Sequence, residues 1–227
     1  MFEAFTDWHS HILPGVDDGI KTMKESLATL EAYEQQGITK VWLTPHIMED
    51  CPNTTEKLRE RFAELKAAYN GPIELRLASE NMLDSLFQER VRAKDFLPIG
   101  DEGRHLLVET SYVSAPYGME KMIEDAFSIG YTVVLAHPER YQYMDQKDYR
   151  AWKERGVLFQ GNFFSLIGGY GEVARKKAEW LMKEGMYDLV GSDVHRKAQF
   201  SHNIEKHPRK ASTLNHLVQV AQNPALK

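Results

Sequence analysis

The chain is nearly devoid of cysteine. Cys51 is the only one in 227 residues, so no intrachain disulfide can form. That scarcity also tests one catalytic class. Cysteine-dependent phosphatases need Cys-x5-Arg, and the residue at that spacing from Cys51 is Lys57, which cannot supply a bidentate guanidinium fork to phosphate. Cys51 therefore reads as an incidental loop thiol. No apolar run approaches the ~18 residues of a membrane span, and residues 1–10 lack the basic start and apolar stretch of a signal peptide. Membrane insertion is not expected, and a cytoplasmic location is. A basic run is also missing and the net charge is −5, which argues against a nucleic-acid partner. Linkers, low-complexity tracts and composition shifts are absent too, so residues 1–227 are read as one domain.

What is present is an ordinary globular composition, 42% hydrophobic and 27% charged, with enough apolar residues for a core. Short β-rich segments at 5–9, 40–44, 73–78, 105–109, 132–136, 157–161 and 188–191 alternate with helical patterns. One pattern runs through Met23, Leu27, Leu30 and Ala32 to the stop at Gln36-Gly37; others cover 55–69, 117–129, 171–184 and 208–221. Thr54 or Thr55 reads as an N-cap and Asn70-Gly71-Pro72 as a stop and turn. The alternation predicts an α/β protein with a parallel sheet and right-handed crossovers. A doubly wound open sheet would fit, but a barrel is favoured by what stands at the strand ends.

Asp7-Trp8-His9-Ser10-His11 opens the series, with two imidazoles at i, i+2 on one side of a strand. Asp17-Asp18-Gly19 follows on a turn containing Pro14 and Gly15. Later strand candidates end in His46, Glu80, Glu109, His137, and Asp193 with His195. A lone histidine or glutamate at a strand end is ordinarily a loop or solvated residue. Six of seven strand candidates ending so are better explained by one metal cluster. With Asp18, the set offers five imidazoles and four carboxylates and no thiolate, enough for two or three ions and open to Mn, Fe, Zn or Co. Three divalent ions would leave that set with net positive charge, and Arg140, three residues past His137, would add to it, which points to a phosphate substrate. The alternative for Arg140 is a salt bridge to Glu139.

These residues together resemble the polymerase and histidinol phosphatase (PHP) superfamily, and within it the bacterial capsule-locus protein-tyrosine phosphatases of the CpsB/YwqE type. The resemblance runs over nearly the whole chain, from Asp7 to Asn223-Pro224. It is carried by Asp-Trp-His-Ser-His-Ile-Leu-Pro-Gly-Val-Asp-Asp-Gly at 7–19, Thr-Pro-His at 44–46, Ala-Ser-Glu at 78–80 and Leu-Val-Glu at 107–109. Ala-His-Pro-Glu-Arg-Tyr at 136–141, Gly-Asn at 161–162 and Gly-Ser-Asp-Val-His at 191–195 complete it. The resemblance implies a distorted (β/α)7 TIM-like barrel holding three metal ions, commonly manganese, with iron or zinc as alternatives. His9, His11, Glu80 and Asp193 would hold one ion, Glu80, Glu109 and His137 the second, and Asp18, His46 and His195 the third. Arg140 would grip phosphate. The implied reaction is hydrolysis of phosphotyrosine, through metal-activated water, on membrane-associated, autophosphorylating tyrosine kinases that govern polysaccharide export. His46 and Asp193 are candidate proton donors to the leaving oxygen.

In one respect the chain departs from that family. The second phosphate-binding arginine beyond Ser-Asp-x-His is missing at its usual offset, leaving Arg196, Lys197 and His202 as the available cations, with Arg196 taken as a substrate contact. Phe163, Phe164 and Tyr170 in the loop 162–171 are placed at the barrel mouth, where Phe163 and Tyr170 are expected to stack on substrate. A phosphomonoesterase acting on a small molecule such as histidinol phosphate would share every ligand. An amidohydrolase is disfavoured because Glu80 and Glu109 stand where a bridging lysine would sit. A metal-binding scaffold without catalysis is the remaining alternative.

Overall fold

Strand formation follows the apolar runs. His105–Glu109 and Thr132–Ala136 are built around Leu106, Leu107, Val108, Val133, Val134 and Leu135, all with no exposed surface, the pattern of strands covered on both faces. Each such side chain contributes about 1.5–3 kcal/mol on burial. In the computed structural model, residues 4–205 and 216–220 are described. The strands are β1 (Phe5–Ser10), β2 (Ile38–Leu43), β3 (His46–Ile47), β4 (Glu74–Leu77), β5 (Glu80–Met82), β6 (His105–Glu109), β7 (Thr132–Ala136), β8 (Leu158–Asn162) and β9 (Leu189–Gly191). The helices are α1 (Met23–Gln35), α2 (Thr55–Ala68), α3 (Ser85–Ala93), α4 (Met119–Ser128), α5 (Gln146–Glu154), α6 (Gly171–Lys183) and α7 (Lys197–Glu205).

All named strand pairs are parallel, in the orders β1-β2-β4 and β3-β5-β6-β7-β8-β9. The strands expected at 40–44 and 73–78 are each followed, after a short break, by a second short strand. Pro45 has no N–H to donate, which interrupts the second strand between β2 and β3. Ser79 N–H turns sideways to the Leu97 carbonyl (3.0 Å), which interrupts the third between β4 and β5. Bonds from Thr44 N–H to the Ser10 carbonyl (2.8 Å) and from Glu80 N–H to the Pro45 carbonyl (3.1 Å) span the breaks. The sheet curls until its ends meet: His11 N–H donates to the Val194 carbonyl (3.0 Å) and Asp193 N–H to the His9 carbonyl (2.8 Å). The architecture is a single α/β domain with a curled parallel sheet. A Cβ at Gly191 would lie 2.4 Å from the His9 Cβ, so glycine permits that approach of β9 to β1.

Helices are fixed by caps at their N-termini. Thr22, Thr54 and Asp84 accept from the N–H groups of Glu25, Lys57 and Phe87, and Asp145 forms a capping box with Asp148. Each cap is worth about 1 kcal/mol. The helices α3, α5 and α7 are additions to the expected set; α3 and α5 are nine residues long, and α5 buries only Tyr149 and Trp152. The helix expected over 208–221 falls mostly outside the described residues; 216–220 are helical, with Leu217 in the core. That core includes stacked Trp8 and Trp42 (5.8 Å between centroids). No helix among the described residues is long and apolar enough to cross a membrane.

Candidate metal centre and catalytic cavity

The strand ends converge on the carboxylate of Glu80, which has no exposed surface. Glu80 Oε2 lies 3.1 Å from His9 Nε2, 3.2 Å from His11 Nε2 and 3.1 Å from His46 Nδ1, while Oε1 lies 3.0 Å from His137 Nε2. Asp193 Oδ1 is 3.6 Å from His9, 3.5 Å from His11 and 3.4 Å from His195 Nδ1. On the other side, Glu109 Oε1 is 3.0 Å from His46 Nδ1 and Glu109 Oε2 is 3.9 Å from His137 Nε2. Toward solvent, Asp18 Oδ1 stands 3.4 Å from both His46 Nε2 and His195 Nε2. All nine candidate ligands named from the sequence, eight at strand ends and Asp18 on its turn, are thus brought together, in overlapping groups tight enough to hold metal ions.

The donor chemistry fits cations. Gln160 Oε1 lies 2.6 Å from His9 Nδ1, and Asp17 Oδ2 lies 2.8 Å from His11 Nδ1. Both partners are acceptors, since Gln160 Nε2 donates elsewhere, to the Gly161 carbonyl. Each imidazole therefore carries its proton on Nδ1 and turns an Nε2 lone pair inward. Those two Nε2 atoms sit 3.0 Å apart, both facing the Glu80 carboxylate, an arrangement that needs positive charge between them. His46 Nδ1 and Glu109 Oε1, although 3.0 Å apart, lack hydrogen-bond geometry, and His137 Nδ1 is buried without a partner. The protein groups alone supply the charge as protons. Burial works against the imidazolium of His11, as does His46, yet Asp17 and Glu80 lift its pKa to about 10. His46 is likewise opposed by burial and is raised to about 12 by Glu80, Asp18 and Glu109. Burial would raise Glu80 and Asp193, but the surrounding imidazoles hold both well below the usual carboxylate range.

Backbone geometry marks the same place. His137 (φ 33°) and Asp193 (φ 53°) are non-glycine residues in the left-handed region, each at a cost of about 1–3 kcal/mol met by surrounding structure. Asp7, first in the opening motif, turns away from the cluster. Its carboxylate accepts from Ser192 N–H (2.8 Å), Ser192 Oγ (2.7 Å) and Tyr33 OH (2.8 Å), locking β1 to the segment after β9.

Above the cluster lies a cavity of about 370 Å³. Arg140 enters its wall, where Nη1 donates to Asp193 Oδ2 at 2.7 Å. The alternative pairing with Glu139 does not form. Glu139 is buried and accepts from Asn162 N–H, Ser165 Oγ and Tyr187 OH, and burial pushes its pKa up. Tyr112 and Tyr170 sandwich the guanidinium, with ring centroids 4.3 and 4.2 Å from Cζ. Asn162 Nδ2 (2.9 Å) and Tyr170 OH (3.3 Å) also donate to Asp193 Oδ2. Asp193 Oδ2 thus accepts from three donors, an arrangement at odds with the expectation that this residue gives a proton to a leaving oxygen.

Two further expectations change. Phe163 does not line the cavity: Asn162 Oδ1 caps a 3-10 turn over Phe163–Ile167, which turns Phe163 into the core against Phe164. Arg196 does line the mouth, but its Nη1 donates to the carbonyls of Asp18, Gly19 and His195, tying down the turn that carries Asp18. Lys197 and His202 do not line it. Asp17, Gln160 and Tyr112 were missed. Asp17 sits beside Asp18 in the motif and only the fold separates their roles; Gln160 lies within β8 and Tyr112 three residues beyond β6, and neither is a ligand type.

A parallel α/β fold, a buried imidazole–carboxylate cluster and an arginine-walled cavity define a metal-site hydrolase class of protein. The capsular polysaccharide synthesis family CpsB/CapC matches residues 5–214, and the chain belongs to that family. It is 28% identical over 197 residues to CapC of Staphylococcus aureus, covering 83% of this chain and 76% of that one. It is 24% identical over 195 residues to the tyrosine-protein phosphatase YwqE of Bacillus subtilis, with the same coverage. Among solved structures it matches one from a study of YwqE of Bacillus subtilis and CpsB of Streptococcus pneumoniae, described as metal-dependent tyrosine phosphatases. There the TM-score is 0.78 at 22% identity, over 96% of this chain and 94% of that one.

Proposed function

We propose that the chain, as one domain over 1–227, is a metal-dependent protein-tyrosine phosphatase. The observation that carries this reading is Glu80, a buried carboxylate faced by four imidazoles beneath a cavity walled by Arg140. In this reading His9, His11, Glu80 and Asp193 hold one divalent ion, Glu80, Glu109 and His137 a second, and Asp18, His46 and His195 a third. Manganese is the first candidate, with iron or zinc as alternatives. His46 also faces Glu80 and Glu109 through Nδ1, so it stands between the second and third groups. Bound ions lower the pKa of water, orient the phosphoryl group and stabilise the leaving oxygen. Arg140 orients the phosphoryl oxygens, and Asp193, Tyr112 and Tyr170 fix Arg140 in place. Asp17 and Gln160 set the tautomers of His11 and His9.

The same reading takes the curled sheet as a distorted (β/α)7 barrel: β2 with β3, and β4 with β5, count as one position each, and the bonds between His9, His11 and the 193–194 segment support closure. Its substrate would be a phosphotyrosine protein, a membrane-associated tyrosine kinase of polysaccharide synthesis, met in the cytoplasm. A panel of phosphotyrosine peptides and small phosphomonoesters, including histidinol phosphate, tests it. Phosphopeptide hydrolysis lost on chelation and restored by Mn²⁺ is expected. Turnover of the small phosphoester alone, or activity surviving in a His9→Ala, His11→Ala double variant, would overturn it.

A further inference from the structure

On the other side of Arg140 lies a second cavity, of about 240 Å³. Tyr112, Arg140 and Tyr170 line both cavities, so the ring–guanidinium–ring stack is a wall they share. Its volume corresponds to about eight waters, room for one carboxylate side chain. Two of its charged groups are committed elsewhere: Arg140 to Asp193, and Glu139 to Asn162, Ser165 and Tyr187. The third, Lys177, is not paired with an anion. Its Nζ donates to the carbonyls of Tyr141 (2.5 Å) and Met144 (2.8 Å), which leaves one of three N–H groups over. Among the described residues no carboxylate lies within ion-pair distance of it.

Tyr112, Tyr170, Val173 and Ala174 give this cavity an apolar side next to its charged groups. Among the described residues the exposed large hydrophobic side chains are Tyr112, Val113, Tyr117 and Val173. Tyr112 and Val173 line this second cavity, and Val113 and Tyr117 follow Tyr112 along the same segment. A small phosphoester would leave such a rim unused, whereas a polypeptide would cover it. Residues one or two positions apart in an extended peptide are about 3–7 Å apart, so a side chain flanking one seated in the first cavity is directed at a neighbouring cavity that shares its wall.

We infer that the second cavity is a subsite for an Asp or Glu side chain flanking the phosphotyrosine of a protein substrate, with Lys177 as the cation that receives it. This rests on the phosphatase reading above and adds a sequence preference to it. The test uses the metal-loaded protein and matched phosphotyrosine peptides that differ only in carrying Glu or Lys at the flanking positions. The readout is the ratio of kcat/KM for the Glu peptide over the Lys peptide, taken within each variant so that a general loss of activity cancels. The unsubstituted protein and Lys177→Arg are expected to give about fivefold or more, the size of a partly exposed ion pair. Lys177→Met is expected to give about one, and Lys177→Glu to invert the ratio. A ratio near one in the unsubstituted protein, or the same ratio in Lys177→Met as in Lys177→Arg, overturns the subsite. Turnover of para-nitrophenyl phosphate without turnover of any phosphopeptide instead overturns the reading on which the subsite rests, so the two failures are distinguishable.

Discussion

Asp17 gives the sharpest handle on how the cluster is held, because it is not one of the nine converging residues yet touches three parts of their support. Its Oδ2 is 2.8 Å from His11 Nδ1 and accepts from His46 N–H at 3.1 Å, while Oδ1 accepts from Gly19 N–H at 2.9 Å next to Asp18. Burial would raise the pKa of Asp17, but His11 and His46 lower it, so it is a carboxylate in the native protein. Substituting Asn removes that charge at constant volume, frees the tautomer of His11 and loosens the turn that carries Asp18. Loss of such a supporting partner lowers metal affinity by roughly 10–100-fold, about 1.4–2.7 kcal/mol. The effect of Asp17→Asn should therefore fall on the Mn²⁺ concentration for half-maximal phosphoester hydrolysis, with turnover at saturating Mn²⁺ reduced far less. Asp17→Ala, which also abandons the two backbone N–H groups, should shift the titration further. An unchanged half-maximal Mn²⁺ concentration in both variants refutes the argument, and so does a loss of turnover that excess metal cannot relieve.

Other outcomes follow from the same geometry. Since His11 and His46 are raised to about 10 and 12 and must be neutral to ligate, Mn²⁺ binding at pH 7.5 should release protons, seen by calorimetry in buffers of different ionisation enthalpy; no buffer dependence would contradict this. In metal-stripped protein the sign for stability is that of raised bases: the contribution of His11 is complete below its ordinary pKa near 6.5 and is lost as pH rises through about 10, which denaturant titrations between pH 6 and 10.5 would resolve. Glu139, raised by burial, binds a proton more tightly when folded, so stability declines as pH rises above its ordinary value of 4.5, and Glu139→Gln should flatten that slope. Tyr112→Leu removes one face of the Arg140 sandwich, an interaction of about 1–2 kcal/mol, so kcat/KM should fall about 5–30-fold while Mn²⁺ dependence is retained; a shift in metal affinity instead would place Tyr112 elsewhere in the account.

The converging set was legible in the sequence because all but Asp18 stand at or just beyond the ends of apolar strands, and strand ends of one parallel sheet share one face. His9, Glu80, Glu109 and His137 could be read that way without coordinates. The supporting residues could not. Asp7 and Asp17 are acidic residues within the same opening motif as Asp18, yet one binds Ser192 and Tyr33, one binds His11, and only Asp18 reaches the outer imidazoles; their directions depend on a turn that periodicity does not encode. Phe163 and Tyr170 looked alike as mouth aromatics until the cap by Asn162 turned one inward. The second and third strands break at Thr44-Pro45 and Ser79, where one proline and one diverted N–H decide the outcome. The helix α5 was not read from the sequence, since it buries only two side chains and its Asp145–Asp148 cap was not picked out.

The central claim is that the nine converging residues are a metal centre serving phosphoester hydrolysis. Metal content per chain, measured by elemental analysis on protein reconstituted with Mn²⁺ and freed of excess ion, tests it most directly. About three tightly held ions are expected, with a loss of at least one when Glu80, the shared carboxylate, becomes Gln. Retention of less than one ion per chain by the unsubstituted protein, or an unchanged content in Glu80→Gln, would contradict the account.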